Sequence, residues 1–316
     1  MSKKMKAAYI EEFGGPDTVK TGELDRPEPG EGEVLVRVQS AGVNPVDSAI
    51  VRGMLKDFIP SEFPLIPGWD VAGVVEARGY AARRFSEGDK VYGYVRRPVI
   101  QHGSFAEYIS LPESYLAHSP DKLAPEEAGG VPLAGLTAWQ SLFDAGKVQK
   151  GDTVLILGAS GGVGTFAVQF AKWKGARVIG VASSGNHDYL KELGADDTVD
   201  YKENHVGEAV EKIASAGVDV IFDCSRGKAL EQSMGTLIKN GRLVSITNRD
   251  PDRRPDIRFE YVFVEPNARQ LEKISELVDN GYVIAPVIKA FRLEETGKAL
   301  QEVESLHTRG KMVITP

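Results

Sequence analysis

The 316-residue chain is expected to fold as a two-domain α/β protein, on three features of its sequence. Short strand-like runs separated by Gly and Pro fill the first 124 residues, pointing to a β-rich domain. From residue 125 apolar strands alternate with amphipathic helices, as in an open, doubly wound parallel sheet. After residue 248 that alternation stops, and a few further elements run to the end. At ~100–200 residues per domain the length accommodates two cores.

In the first segment the runs are MKAAYIEEFG, EVLVRVQSAG from Glu33, DVAGVVEARG from Asp70, DKVYGYV from Asp89 and SFAEYISL from Ser104. Runs of this length with turn residues between them suit a mostly antiparallel β domain. Prolines 27, 29, 45, 60, 64 and 67 fall outside these runs, where a missing backbone donor costs little. From Pro125 the stretch APEEAGGVPLAGLTAWQSLFDAG reads as helices, with Pro at a first turn and Glu126 and Glu127 at a helix N-terminus. Strands TVLILG, ARVIGVAS, DTVDY, VDVIFDC and GRLVSIT then alternate with helices GGVGTFAVQFAKWKG, NHDYLKELG, VGEAVEKIAS and KALEQSMGTLI. The closing pieces are RFEYVFVEP, a helix ARQLEKISELVDNG, a helix LEETGKALQEVES and a strand KMVITP. They are too few for a third domain. The expected division is residues 1–124 with 265–316, and an inserted dinucleotide-binding domain over 125–264.

Composition excludes several classes of function. With 42% hydrophobic and 26% charged residues the chain is not disordered or fibrous. Lys and Arg number 38 against 45 Asp and Glu, a net charge of −7, which gives no electrostatic footprint for nucleic acid or an anionic membrane. The pairs Arg83-Arg84, Arg96-Arg97 and Arg253-Arg254 are short and read as solvated loop charge. A single cysteine, Cys224, excludes an internal disulfide and a multi-cysteine zinc site. Three lysines near the start precede AAYIEEFGG, which has acids where a secretory signal needs an apolar run. No stretch approaches the roughly 18 apolar residues of a membrane span. A cytoplasmic location is expected.

The most informative segment is TVLILGASGGVGTFAVQFAK, residues 153–172. A strand runs through Gly158, Ala159, Ser160, Gly161, Gly162 and Val163 into Gly164 and a helix. Small residues here let backbone N–H groups approach a pyrophosphate at the helix N-terminus. The spacing is Ala159-x-Gly161-x-x-Gly164, with Ala in place of the first Gly of G-x-G-x-x-G. An NAD site usually puts an acid about 20 residues further on. This chain has Ala182-Ser183-Ser184-Gly185-Asn186-His187 there. A 2′-phosphate can then accept from Ser183 or Ser184, with help from Asn186, His187 and Tyr201, so NADPH is the expected cofactor. Loop capping is the alternative role of the two serines.

Several ordered motifs resemble the medium-chain dehydrogenase/reductase superfamily over nearly the whole chain. They are AGVNPVDSAIVRG (41–53), PGWDVAGVV (67–75), EGDKVYG (87–93), GSFAEY (103–108), PLAGLTAWQSL (132–142), GASGGVG, LGADDTVDY (193–201) and GKMVI (310–314). The resemblance implies a GroES-like β domain, a Rossmann domain and an active site in the cleft between them. Zinc alcohol dehydrogenases of this superfamily place a ligand Cys where this chain has Asn44, and a ligand His followed by Glu where it has Trp69-Asp70. Amide and indole groups do not replace thiolate and imidazole ligands. The cysteine-rich structural zinc loop is also missing. The chain therefore resembles the zinc-free quinone oxidoreductases, with zeta-crystallin and the enone and alkenal reductases, and NPVD at 44–47 is typical of them. Two departures stand out. Ala49 replaces a Tyr or Lys seen in relatives, and Asn186 replaces a frequent Lys.

Asn44 either lines the site beside nicotinamide and the substrate carbonyl or serves as a turn residue before Pro45. Asp47 either bonds near the nicotinamide or caps the next helix. Thr137 resembles a cofactor contact, although buried helical Thr is common. Ser225 lies at a strand end that meets a dinucleotide. The resemblance adds Phe263 and Lys311 as cofactor contacts. Cys224 reads as a small buried residue. His102, His118, His205 and His307 show no metal spacing. The expected function is NADPH-dependent, zinc-independent reduction of a quinone or α,β-unsaturated carbonyl, with Asn44 donating to the acceptor oxygen and solvent supplying the proton. A redox-responsive dinucleotide-binding protein with little turnover is the alternative, kept open by Ala49, and an alcohol dehydrogenase-like enzyme is a third reading, disfavoured by Asn44 and Trp69. The resemblance implies a homodimer.

Overall fold

The computed structural model describes residues 3–305 and 309–316. It divides into two compact units, Met1–Leu136 with Glu265–Pro316, and Thr137–Val264. In chain order the first unit begins with strands β1 (Lys4–Tyr9), β2 (Lys20–Asp25) and β3 (Glu33–Val43), helix α1 (Pro45–Val51), and strands β4 (Ser61–Ile66), β5 (Asp70–Arg78), β6 (Lys90–Tyr94), β7 (Ile100–His102), β8 (Tyr108–Pro112) and β9 (Leu116–His118). Helices α2 (Pro125–Gly129) and α3 (Pro132–Trp139) lead into the second unit. There β10 (Thr153–Leu157), α4 (Gly162–Trp173), β11 (Arg177–Ala182), α5 (His187–Glu192), β12 (Asp197–Asp200), α6 (Val206–Ile213), β13 (Val218–Asp223), α7 (Ala229–Ser233), β14 (Leu237–Ser245) and β15 (Arg258–Tyr261) follow. The chain closes with α8 (Ala268–Asp279), β16 (Val287–Arg292), α9 (Thr296–Glu304) and β17 (Lys311–Thr315). Among the described residues no helix is long and apolar enough to cross a membrane.

The first unit is built on the sheet β16-β17-β3-β5-β6-β9, with β8 also on β3. All its pairings are antiparallel except β16 with β17. The long strand β3 is its centre. Val34, Val36, Val38 and Ala41 are buried along it, and its far end, Ala41 to Val43, pairs with β17. That pairing brings Lys311 at the start of β17 beside the residues that follow β3. The sequence reading passed over β16, a mostly exposed strand (VIKAFR, with only Phe291 buried) at the sheet edge.

The second unit is the expected doubly wound sheet, in the order β12-β11-β10-β13-β14-β15 and parallel throughout. Its inner strands are buried on both faces, which is why they read as unbroken apolar runs. Leu155, Ile179, Val181, Ile221 and Leu243 form one core with Val206 and Val210 of α6. The strand order reverses between β10 and β13, and ligands of such sheets bind at the carboxyl ends beside that point.

Two expectations need correction. The segment 125–136 belongs to the first unit. Gly129 lies so close to Ser40 of β3 that a Cβ would stand 2.1 Å from its hydroxyl oxygen, and that hydroxyl donates to Pro125 O. The helix expected over KALEQSMGTLI is only Ala229–Ser233. Hydroxyls of Ser233 and Thr236 take the carbonyls of Leu230 and Ser233, which frees the chain to enter β14 at Leu237.

Candidate functional site

In the second unit β10 turns at Gly158, whose φ of +76° demands glycine. Ala159, at the place of the usual first Gly, needs no such freedom. It is buried, its N–H donates to Val181 O at 3.1 Å, and its methyl packs against Gly180. Gly164 is the tightest point, since a Cβ there would lie 2.3 Å from Gly158 O and 2.6 Å from Ala159 Cα. Helix α4 can therefore start hard against the strand. Gly161 is its N-cap and supplies no side-chain cap, so the first-turn N–H groups of Gly162, Val163 and Gly164 keep their donor capacity. A Cβ on Gly161 would approach only Gly158 O, at 3.4 Å. Glycine at 161 thus answers to something outside the fold, and bare donors at a helix N-terminus suit a pyrophosphate. Ser160 belongs to the same turn.

Ser225 joins this turn from the end of β13, its Cβ 3.1 Å from where a Gly158 Cβ would be. Its N–H and hydroxyl both donate to Asp223 Oδ1, while Ser245 and Thr247 hydroxyls donate to Asp223 Oδ2 at 2.7 and 2.9 Å. Ser225, Thr247, Arg226, Leu230 and Met234 line a cavity of about 730 Å³. Thr137 is buried in α3. Phe263 follows β15, at the edge of the sheet opposite β12.

The carboxyl ends of β11 and β12 bring Ser183, Ser184 and Tyr201 together, Ala182 pairing with Asp200. Tyr201 is 44% exposed. The end of β11 carries no acid, but the end of β12 brings one to this turn. Asp200, only 4% exposed, accepts the Ser184 N–H on Oδ2 and the Lys202 N–H on Oδ1, both at 2.8 Å. Those donors hold its carboxyl below the usual range, so it is ionised at neutral pH.

In the first unit Asn44, Asp47, Asp70 and Lys311 form one buried network. Asn44 is the N-cap of α1, 2% exposed, and its N–H donates to Asp47 Oδ2 at 2.8 Å. Its side-chain NH2 donates to Asp70 Oδ2 at 2.8 Å, with a longer contact to Gly42 O at 3.4 Å. Lys311 donates to Asn44 Oδ1 and, at 3.1 Å, to Val43 O, and its Nζ is 3.7 Å from Asp70 Oδ2. Leu133 N–H donates to Asp70 Oδ1 at 2.5 Å. The Asn44 amide is turned into the protein, so the role expected for it at an acceptor oxygen has only the weakly held second hydrogen to draw on. Lys311 is likewise an interior cation, 4% exposed. Trp69 packs edge-on to Tyr94.

Burial pushes the Asp47 carboxyl up to about 8. A raised carboxyl value means that the folded protein holds a proton the unfolded chain has lost, so this group's contribution to stability falls as pH rises from about 4 to 8. Asp47→Asn is therefore expected to gain about 4 kcal/mol relative to the unmodified protein between pH 5 and pH 9, roughly three pH units at about 1.4 kcal/mol each. Urea denaturation at the two pH values checks this, and an equal difference at both would refute it.

Asp70, Asp200 and Asp223 carry the geometry of these clusters, and sequence reasoning passed over their roles. Their signal was present: each Asp begins or ends a strand and is buried there, where a carboxylate requires partners. Among the described residues no group of three or more His, Cys, Asp or Glu is placed to hold a metal; His307 lies outside those residues.

The zinc-binding dehydrogenase family model matches residues 162–270, and the alcohol dehydrogenase GroES-like domain matches 30–121. The chain is 31% identical to a chloroplastic quinone-oxidoreductase of Triphysaria versicolor, over 99% of both chains. It is 32% identical to the NADPH-dependent alkenal/one oxidoreductase of Arabidopsis thaliana, over 99% of this chain and 80% of that one. Among solved structures it resembles the quinone oxidoreductase of Coxiella burnetii with a TM-score of 0.87 and 31% identity, covering 99% and 100% of the two chains.

Proposed function

Because the chain belongs to the medium-chain dehydrogenase/reductase superfamily, we propose that it is an NADPH-dependent, zinc-independent oxidoreductase of quinones or α,β-unsaturated carbonyls. The observation that carries the dinucleotide is the turn at 158–164, where Gly161 leaves the first N–H groups of α4 without a cap. Ser183, Ser184 and Tyr201 are the groups that would take the 2′-phosphate. The relatives' named substrates support the acceptor class.

The zinc of the wider superfamily does not fit the residues present. Asn44 offers an amide already bonded to Asp70 and Lys311, and Trp69 offers an indole in the core. No step is assigned to a metal. When bound, NADPH supplies a hydride to an electron-poor acceptor carbon. This chain's part is to hold the pyrophosphate on Gly162, Val163 and Gly164, and to offer hydrogen-bond donors to the acceptor oxygen. The second amide hydrogen of Asn44 is the candidate donor in the first unit. Solvent returns the proton, which a delocalised enolate or hydroquinone anion tolerates.

NADPH oxidation across a panel of quinones and enones, with a strong chelator present, tests the reading. Saturable turnover with at least one member is expected, with deuterium from labelled NADPH on the alkene β-carbon of an enone. Bound dinucleotide with no turnover on any acceptor would favour a binding protein instead, and loss of turnover on chelation would overturn the zinc-free mechanism.

A further inference from the structure

We propose that Asp200 is a specificity-determining residue that limits how strongly this chain prefers NADPH to NADH, by placing a fixed negative charge against the Ser183-Ser184 turn and occupying the Ser184 N–H. The proposal rests on the dinucleotide reading above and concerns one corner of that site.

Three observations lead to it. Asp200 closes β12 directly beside Ala182, the last residue of β11, so any group held by Ser183 and Ser184 is also a neighbour of this carboxylate. The carboxylate is rigidly held: Oδ2 takes the Ser184 N–H, Oδ1 takes the Lys202 N–H, and Asn204 N–H donates to the Asp200 carbonyl at 3.1 Å. The other donors of the turn are also partly spent. Asn186 Nδ2 donates to Ser183 Oγ at 3.2 Å, and His187 Nε2 lies 3.3 Å from Ala182 O.

A 2′-phosphate arriving here brings close to two negative charges beside one that is already fixed. Repulsion of that kind is modest in water and larger where solvent is partly excluded. A bare 2′-hydroxyl carries no such penalty. The turn therefore accepts NADH with little loss and NADPH with a reduced gain, although the end of β11 itself carries no acid. Lys202, whose N–H bonds the carboxylate, is exposed, so its ammonium is screened by solvent. Asp200→Asn removes the charge, and its amide oxygen can still accept one of the two N–H groups.

Calorimetric titration with 2′,5′-ADP and 5′-AMP isolates this corner, because the two probes differ by the 2′-phosphate. For the unmodified protein 2′,5′-ADP is expected to bind no more than about tenfold tighter than 5′-AMP. In Asp200→Asn the affinity for 2′,5′-ADP should rise roughly tenfold while that for 5′-AMP stays within about twofold, and added salt should shrink the gain. Unchanged or weaker 2′,5′-ADP binding in Asp200→Asn, with 5′-AMP still bound, overturns the proposal alone. A preference above about 100-fold in the unmodified protein overturns it without any variant. If neither probe binds either protein, the dinucleotide reading falls, and this one with it.

Discussion

Lys311→Met is expected to destabilise the protein by about 3–5 kcal/mol, the usual consequence of leaving one partner of a buried ion pair alone. Removing the ammonium takes the donor from Asn44 Oδ1 and Val43 O and leaves Asp70, still bonded to the Asn44 amide, without its counter-charge in an interior that water does not reach. Burial opposes the charge on each member, pushing Asp70 up and Lys311 down, and the attraction between them offsets that cost. The pair costs more to break than to replace. Asp70→Asn combined with Lys311→Met removes both charges and keeps an acceptor for the Leu133 N–H, so it should recover part of the loss, a positive coupling that equilibrium urea denaturation of the single and double variants would measure. A single variant within about 1 kcal/mol of the unmodified protein would show that Lys311 is not the cation this network depends on.

The same network shows what could be read in advance and what could not. The doubly wound unit was legible strand by strand, because strands buried on both faces write themselves as apolar runs and the glycine turn between β10 and α4 is contiguous in sequence. Asn44, Asp47 and Lys311 were each legible as candidates, but not their meeting. Lys311 reaches Asn44 only because β17 pairs antiparallel with the end of β3, across 267 positions of chain. Asp200 was hidden for a related reason. The expectation of an acid was confined to the end of the second strand, whereas the parallel register sets the end of the third strand beside it. The short strand β16 and the early end of α7 escaped notice because edge exposure and hydroxyl bonding to the backbone blur the periodicities on which such readings rest.

Gly161→Ala is expected to weaken dinucleotide binding by roughly 100-fold or more while leaving the fold nearly untouched, which separates the needs of the ligand from those of the protein. A methyl at 161 would meet nothing closer than Gly158 O at 3.4 Å, and Gly161 lies at a φ of −75°, which alanine adopts freely. The thermal midpoint should move by no more than about 2 °C, the scale of a change well under 1 kcal/mol. A methyl in front of the α4 N-terminus, however, stands where a pyrophosphate must approach the N–H groups of Gly162, Val163 and Gly164. Gly164→Ala is the contrasting variant. Its methyl would lie 2.3 Å from Gly158 O and 2.6 Å from Ala159 Cα, backbone atoms that cannot step aside, so stability and binding should fall together. Calorimetry with NADPH and NADH beside thermal unfolding distinguishes the two patterns. If Gly161→Ala binds both nucleotides as tightly as the unmodified protein, the glycine at 161 serves only the turn, and the anion site assigned to the start of α4 is wrong.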